Sequence, residues 1–474
     1  MELTLDIVLQ ATGGRLLYGE PRQTLGSVGI DSRTVAAGAL FVAIRGERHD
    51  GHAFVRQVAA KGVQGVLIQE SHVAGLDHGE LRARGVGCVA VGDTVRALGA
   101  LGAFQRNRFD IPVVAITGST GKTSTRLMTS LVLSQRFETL ATQGNLNNEI
   151  GLPLTLFNLN ASHQAAVVEM GMNHAGEIDR LGAICRPTIG LITNVGPVHL
   201  AFFESVEAIG RAKGELMAHV LPGGVMVLNG DDPQSALLAA RSAHAVAYFG
   251  TCSGALAGAA DLRATQGGLV FTLRLPDGSE TVHLQTPGRF MVSNALAAAA
   301  VGHLAGLTSA QIKSGLEAFA PFNGRLSMLH TRRGVGIIDD TYNANPVSMA
   351  AALETLAAVK GAGRGFVVLG DMLELGAQSA ELHRELGCKA GRCGAARLYA
   401  HGPHAAEVAA GAQEAGMPAS DMQTGDKEAI ADDLIGRLQT GDWVLVKGSR
   451  GMAMETVVAA VRQWAETSNS VNGG

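Results

Sequence analysis

One segment constrains the fold more than any other. The apolar run Ile111-Pro112-Val113-Val114-Ala115-Ile116-Thr117 leads directly into Gly118-Ser119-Thr120-Gly121-Lys122-Thr123-Ser124, and a helical pattern follows to about residue 135. A continuous apolar run is the signature of a strand buried on both faces of a parallel sheet. Glycines let the backbone wrap around a phosphate, while the N–H groups and dipole of a helix start favour its negative charge. Lys122 is placed to reach β- and γ-phosphates, and Thr123 to offer a hydroxyl to Mg²⁺. The spacing is not that of the general P-loop, because Ile116 stands where its first glycine would be. The alternative is a plain glycine-rich turn. Strand, Gly-Lys-Thr and helix coincide, which favours phosphate binding by residues 118–124.

At 474 residues the chain is too long for one core, and a prior of about 150 residues per domain gives three. Residues 1–106 carry short β-like runs, at 40–44 and 65–68, around a helical stretch at 53–61. They read as a small α/β unit. Residues 107–325 contain the phosphate loop and further buried strands at 165–169 and 188–193, the pattern of a central parallel-sheet ATPase domain. A hairpin is expected at 270–285, turning at Pro276-Asp277-Gly278. Residues 326–474 alternate strands at 335–339, 365–369, 397–400 and 443–446 with helices at 348–360 and 455–466, a second doubly wound, Rossmann-like unit. The polar tail from 468 to 474 is expected to fray.

Composition excludes several function classes. A net charge of −4 provides no basic field for nucleic acid. Five scattered cysteines without metal spacing favour reduced thiols and a cytoplasmic protein. The most apolar stretch, 295–306, is too short to span a membrane, since a span needs about 20 residues. Residues 1–6 place acids where a signal peptide needs basic ones.

Other strand ends carry candidate chemistry. Glu169 ends a buried run, in the crevice where doubly wound sheets bind ligands, and could hold Mg²⁺ or serve structure alone. His199 follows the run at 188–193; a lone histidine there is either packing or a ligand. Lys213, in Arg211-Ala212-Lys213-Gly214-Glu215, reads by pattern as a solvated charge. Asp339-Asp340-Thr341-Tyr342-Asn343-Ala344-Asn345-Pro346 is either a polar gripping loop or an Asx turn opening a helix. Lys447-Gly448-Ser449-Arg450 could bind an anion.

Taken in order, these strings resemble the Mur ligase family over nearly the whole chain. The resemblance begins at Asp31-Ser32-Arg33, Gly38 to Ala43 and Asp50-Gly51-His52. It continues through the ATP loop, Gly144-Asn145-Leu146-Asn147-Asn148-Glu149-Ile150-Gly151, Glu169, His199 and Ala212-Lys213-Gly214-Glu215. It ends with Asp339 to Pro346, Gly370-Asp371-Met372-Leu373-Glu374-Leu375-Gly376 and Val446 to Arg450. It implies an ATP-dependent amide-bond ligase that joins D-alanyl-D-alanine to a UDP-N-acetylmuramoyl tripeptide through an acyl phosphate. A sister ligase with a different amino acid or acceptor is the alternative.

The resemblance also implies residue roles. Two Mg²⁺ ions would be held by Thr123, Glu169, His199 and Lys213, the last carbamoylated by CO₂. Lys122, Lys213, His199 and Glu169 form the catalytic group. Asn294, Arg325 and Asp340 join the loop in binding ATP. Ser32 and Arg33 would hold the UDP part of the substrate, with Asn147, Asn148, Tyr342, Asn343 and Asn345 as further substrate contacts. A monomer is expected, with the C-terminal domain taking the dipeptide. Where the family usually has His-Asn, this chain has Phe290-Met291, so adenine contacts made by that pair are not carried over. The third residue of the tripeptide, meso-diaminopimelate or L-lysine, is left open.

Overall fold

The computed structural model describes residues 3–46, 49–265, 268–322 and 324–466. The expected polar tail at 468–474 lies outside them. Three sheet-centred α/β units follow one another along the chain.

The first is a five-stranded mixed sheet. In spatial order its strands are Arg15–Tyr18, Gly87–Val91, Gly65–Gln69, Leu40–Val42 and Val28–Gly29. Only the first pairing is antiparallel. Phe41, Val66 and Ile68 face one apolar cluster, while Leu40, Val42 and Leu67 face another. The period of two thus buries both faces.

The second sheet has six parallel strands: Ala245–Phe249, Val225–Asn229, Ile189–Ile192, Val113–Thr117, Ala165–Glu169 and Thr139–Ala141. Val114, Ile116 and Val167 pack on one side against the helices Lys122–Leu133 and Phe290–Leu304. Val113, Ala115, Ala166 and Val168 pack on the other, against Glu177–Cys185 and Val206–Gly214. Burial on both sides is why these strands read as unbroken apolar runs. The alanine-rich stretch at 295–306 belongs to the buried helix Phe290–Leu304, where small side chains allow close approach to the sheet. Among the described residues no helix is long and apolar enough to cross a membrane. The expected hairpin forms from Gly268–Leu275 and Gly278–Leu284, and a third strand, Gly258–Thr265, extends it.

The third sheet runs Ser327–His330, Gly336–Asp340, Trp443–Lys447, Gly365–Gly370, Arg397–His401 and Met422–Thr424. All pairings are parallel except that of the first strand. Helices cover both faces, Pro346–Val359 and Ser379–Arg392 on one and Lys427–Arg437 and Glu455–Glu466 on the other. The five cysteines are free thiols.

Val113–Thr117 lies between Ile189–Ile192 and Ala165–Glu169. The three loops that leave their C-terminal ends are therefore neighbours. They carry the phosphate-loop residues, Thr193 to His199, and Glu169 to His174.

Candidate active site

The loop after Val113–Thr117 is held open by its glycines and pinned by its neighbour. Gly118 has φ 149° and Gly121 φ 79°. A Cβ on Gly118 would fall 1.9 Å from Thr193 Oγ1, and one on Gly121 2.3 Å from Asn294 Oδ1. Neither position admits a side chain. Asn194 clamps the turn: its carbonyl accepts from the Ser119 N–H at 2.9 Å and its Oδ1 from the Thr120 N–H at 2.9 Å. Thr193 Oγ1 donates to the Thr120 carbonyl at 2.6 Å. The loop is preorganised, with Lys122, Thr123 and Ser124 opening the helix Lys122–Leu133. Lys122 Nζ donates to the Gly118 carbonyl at 2.8 Å, and burial lowers its pKa against the opposing pull of Glu169.

Glu169 is buried at the end of its strand, and its surroundings were not legible in the sequence. Asn147 Nδ2 donates to Oε1 at 2.9 Å. Arg126, one turn beyond Lys122 on the same helix, brings Nε to 3.3 Å from Oε2. Oε2 and that Nε are both buried without an aligned hydrogen bond. Burial lowers the Arg126 pKa, again opposed by Glu169. A lone arginine in a helical pattern reads as a solvated charge. Its spacing of four from Lys122, with buried Thr129 and Leu133 three and seven residues further along the same face, was the available signal.

Lys213 is not the solvated charge its local pattern gave. It sits 1 % exposed on the helix Val206–Gly214, and no hydrogen bond or ion pair to its ammonium exists among the described residues. Burial first, then nearby Lys122, pushes its pKa well below the ordinary 10.5. It is a buried amine biased toward the neutral form.

His199 lies in the left-handed region (φ 55°), and its Nδ1 is 2.6 Å from Oε2 of Glu374 in the C-terminal domain. That hydrogen bond holds the Glu374 pKa below its usual value.

The opposite wall comes from the strand end Gly336–Asp340 and its loop. Lys447 Nζ pairs with buried Asp340 at 2.5 Å and donates to the Asn343 carbonyl at 2.9 Å. Arg325 stacks its guanidinium 3.9 Å from the centre of the Tyr342 ring, with its buried Nε unpartnered.

Between these walls lies a cleft of about 670 Å³, lined by residues 119–124, Asn147, Asn148, Glu169, His199, Arg325, Asp340, Tyr342, Asn343, Asn345 and Lys447. Val95 of the N-terminal unit also reaches it, as do Phe290 and Met291. Phe290 is 37 % exposed, whereas Met291 is buried and its sulfur accepts from Asn294 Nδ2 at 3.4 Å. Asn294 thus stands against Gly121.

Some expected contacts have other employment. Asn345 caps the helix Pro346–Val359, accepting from the Ser348 N–H at 2.9 Å, so the Asx-turn reading holds for its side chain. Asn148 Oδ1 likewise accepts from the Gly151 N–H at 2.8 Å at the start of Gly151–Leu156. Ser32 and Arg33 are not brought to this cleft. Arg33 is exposed and paired with Asp31, and the Ser32 carbonyl accepts from Lys61. Lys213 is not among the residues lining the cleft either.

Comparison with known proteins agrees with this arrangement. Three family models match in sequence: the Mur ligase family catalytic domain at residues 24–106, the Mur ligase middle domain at 116–302, and the Mur ligase glutamate ligase domain at 324–450. The UDP-N-acetylmuramoyl-tripeptide–D-alanyl-D-alanine ligase of Escherichia coli K12 is 37% identical, over 93% of this chain and 94% of its own length. The protein of the same name from Bacillus subtilis 168 is 33% identical, over 96% and 97%. A crystal structure of MurF from Acinetobacter baumannii superposes with a TM-score of 0.89 at 34% identity, covering 98% of this chain and 99% of that one. MurF from Thermotoga maritima, in complex with ADP, gives 0.82 at 29% identity, covering 93% and 97%.

Proposed function

The chain belongs to the Mur ligase family, and on that premise we propose that it joins D-alanyl-D-alanine to a UDP-N-acetylmuramoyl tripeptide, converting ATP to ADP and phosphate. The product is the UDP-N-acetylmuramoyl pentapeptide used in peptidoglycan synthesis. The observation that carries the reading is a cleft in which a phosphate loop, Glu169 and His199 face Arg325 and, from the third sheet and its loop, Asp340 and Tyr342. The reading includes a monomer acting in the cytoplasm, where ATP is available. Residues 1–106 would hold the UDP part of the substrate, 107–325 the ATP, and 326–474 the dipeptide.

The chemistry follows from charge. An oxygen of the tripeptide's terminal carboxylate attacks the γ-phosphorus, the bond to the β–γ bridging oxygen breaks, and ADP leaves. Lys122 and the loop N–H groups stabilise charge spreading over the transferring group. The dipeptide amine then attacks the acyl-phosphate carbonyl, phosphate departs, and the nitrogen loses its proton. Water would destroy the acyl phosphate, so the walls must exclude it.

The donor set fits magnesium. Glu169 Oε2 is a buried oxygen without a hydrogen-bond partner, and the second ring nitrogen of His199 is unengaged among the described residues. Thr123, Glu169, His199 and a carbamoylated Lys213 would hold two ions, which when bound neutralise phosphate charge and polarise the phosphoryl group. Lys213 suits carbamoylation because only a neutral amine attacks CO₂, and its burial favours that form.

The test incubates the protein with ATP, Mg²⁺, UDP-N-acetylmuramoyl tripeptide and D-alanyl-D-alanine. The expected result is the pentapeptide with stoichiometric ADP. ATP consumption without a new amide defeats the proposal, and preference for a single amino acid over the dipeptide redirects it to a sister ligase.

A further inference from the structure

His199 and Glu374 belong to loops at the ends of strands in different sheets, 175 residues apart in sequence. Both have left-handed backbones, φ 55° and 64°. Residues with a Cβ adopt that region only where their surroundings hold them there. Here two such residues meet, with His199 Nδ1 2.6 Å from Glu374 Oε2. The backbone repeats the contact: the Ala201 N–H donates to the Glu374 carbonyl at 3.0 Å. Two residues on, Gly376 lies so near that a Cβ would fall 3.0 Å from Ala201 Cα.

The carboxylate accepts from Nδ1–H, and a neutral imidazole with its proton there keeps its lone pair on Nε2. Nε2 has no hydrogen-bond partner among the described residues, and His199 lines the cleft. Ligating imidazoles commonly have the second nitrogen fixed by a carboxylate, which sets tautomer and ring orientation. In this chain the carboxylate comes from the opposite domain.

We propose that Glu374 is a positioning residue that fixes the Nδ1–H tautomer of His199 across the domain boundary, so that His199 presents its Nε2 lone pair to the cleft only when the C-terminal domain is docked. The inference rests on the ligase reading, which gives His199 its ligand role. Docking and ligand orientation are then one event. Nucleotide bound to an undocked central domain meets an imidazole free to rotate and exchange its proton, which protects ATP from idle turnover.

The test uses full-length protein carrying ¹⁵N-labelled histidine and saturated with a nonhydrolysable ATP analogue, as wild type, E374A and E374Q, with H199Q to assign the His199 resonance. Wild type shows the Nδ1–H tautomer. E374A shifts it to a mixture dominated by Nε2–H. E374Q, whose amide oxygen still accepts from Nδ1–H, keeps the wild-type tautomer. In the ligation assay E374A raises the Mg²⁺ concentration for half-maximal rate about 10–100-fold, the usual consequence of losing such a partner, while KM for the UDP substrate holds. E374Q recovers most of that loss. If E374A fails to fold, E374D, one methylene too short, replaces it with the same expectations. An unchanged tautomer and Mg²⁺ requirement in the folded variant overturns the proposal, and so does E374Q behaving like E374A. The tautomer is read without turnover, so absence of ligase activity in wild type would sink the functional reading while this inference is still decided by the spectrum.

Discussion

Arg126 Nε stands 3.3 Å from Glu169 Oε2, both side chains are buried, and neither atom has an aligned hydrogen bond. The pair is held by charge and confinement rather than by directional bonding. Removing the arginine leaves a buried carboxylate with Asn147 as its remaining side-chain hydrogen-bond donor. R126M should therefore destabilise the protein by about 3 kcal/mol, the low end for breaking a buried ion pair, because Lys122 still offsets part of the Glu169 charge. E169Q in the same background should recover part of it, with a coupling of roughly 1–3 kcal/mol in a double-mutant cycle. Denaturant unfolding of the four proteins measures this. Additive effects would show that the two charges do not sense each other.

Lys213 sets stability against activity. Its folded-state pKa is depressed, so between that value and 10.5 the unfolded chain binds more protons than the native one. Stability therefore rises with pH across that window, and the penalty for burying the ammonium is fully present below it. K213M, similar in volume and uncharged, should melt higher than wild type near neutral pH in CO₂-depleted buffer. The gap should shrink as pH approaches 10.5. The same change should cost at least about 100-fold in ligation rate, since loss of an outer-shell partner alone reaches 10–100-fold. K213A should regain part of its activity with a short-chain carboxylate. Full activity without that additive would remove Lys213 from the site.

The adjacent asparagines separate binding from architecture. Asn148 Oδ1 accepts from the N–H groups of Ile150 and Gly151, whereas Asn147 Nδ2 donates to Glu169. N148A should lower stability by about 1 kcal/mol, as a lost helix cap does, with turnover largely kept. N147A should cost about 1–3 kcal/mol as well, because it takes a donor from the buried Glu169 carboxylate, but unlike N148A it should also reduce kcat. Equal kinetic damage from both would mean that the Asn148 side chain also meets substrate.

Much of this site could be read in the sequence because its parts sit at ends of buried strands. Unbroken apolar runs located Thr117, Glu169 and Asp340, and a doubly wound sheet brings such ends together. What sequence withheld depends on packing between distant segments. Lys213 and Arg211 are two residues apart on one helix, and only the surrounding core makes the first buried and leaves the second exposed. Arg126 was hidden for the same reason. Glu374 lay within a recognised string, yet its role needs a partner 175 residues away. Asn345 and Asn148 show the converse, since a side-chain amide at a helix start suits ligand and backbone N–H alike, and here the backbone takes it.

Domain docking is tight at Gly376. Its φ is 59°, and a Cβ would lie 3.0 Å from Ala201 Cα and 3.2 Å from the Leu200 carbonyl oxygen. Both neighbours are backbone atoms of the central domain, which cannot swing aside as a side-chain tip can. G376V should therefore hold the C-terminal domain away from the central one. Small-angle scattering in the presence of a nonhydrolysable ATP analogue should give wild type a smaller radius of gyration than without nucleotide, and G376V should fail to contract. Nucleotide affinity should change little, because the phosphate loop is clamped within the central domain by Thr193 and Asn194. The loss should appear in kcat, as when closure completes a site rather than binds substrate. Valine at a left-handed position also costs about 1–2 kcal/mol in itself, so G85V serves as the control. Gly85 has φ 70° with nothing within 4 Å of the position a Cβ would take, and shares the backbone strain without the contact. If G85V alters scattering and turnover as G376V does, strain rather than docking explains both; if only G376V does, the approach of Gly376 to Ala201 is the closure contact.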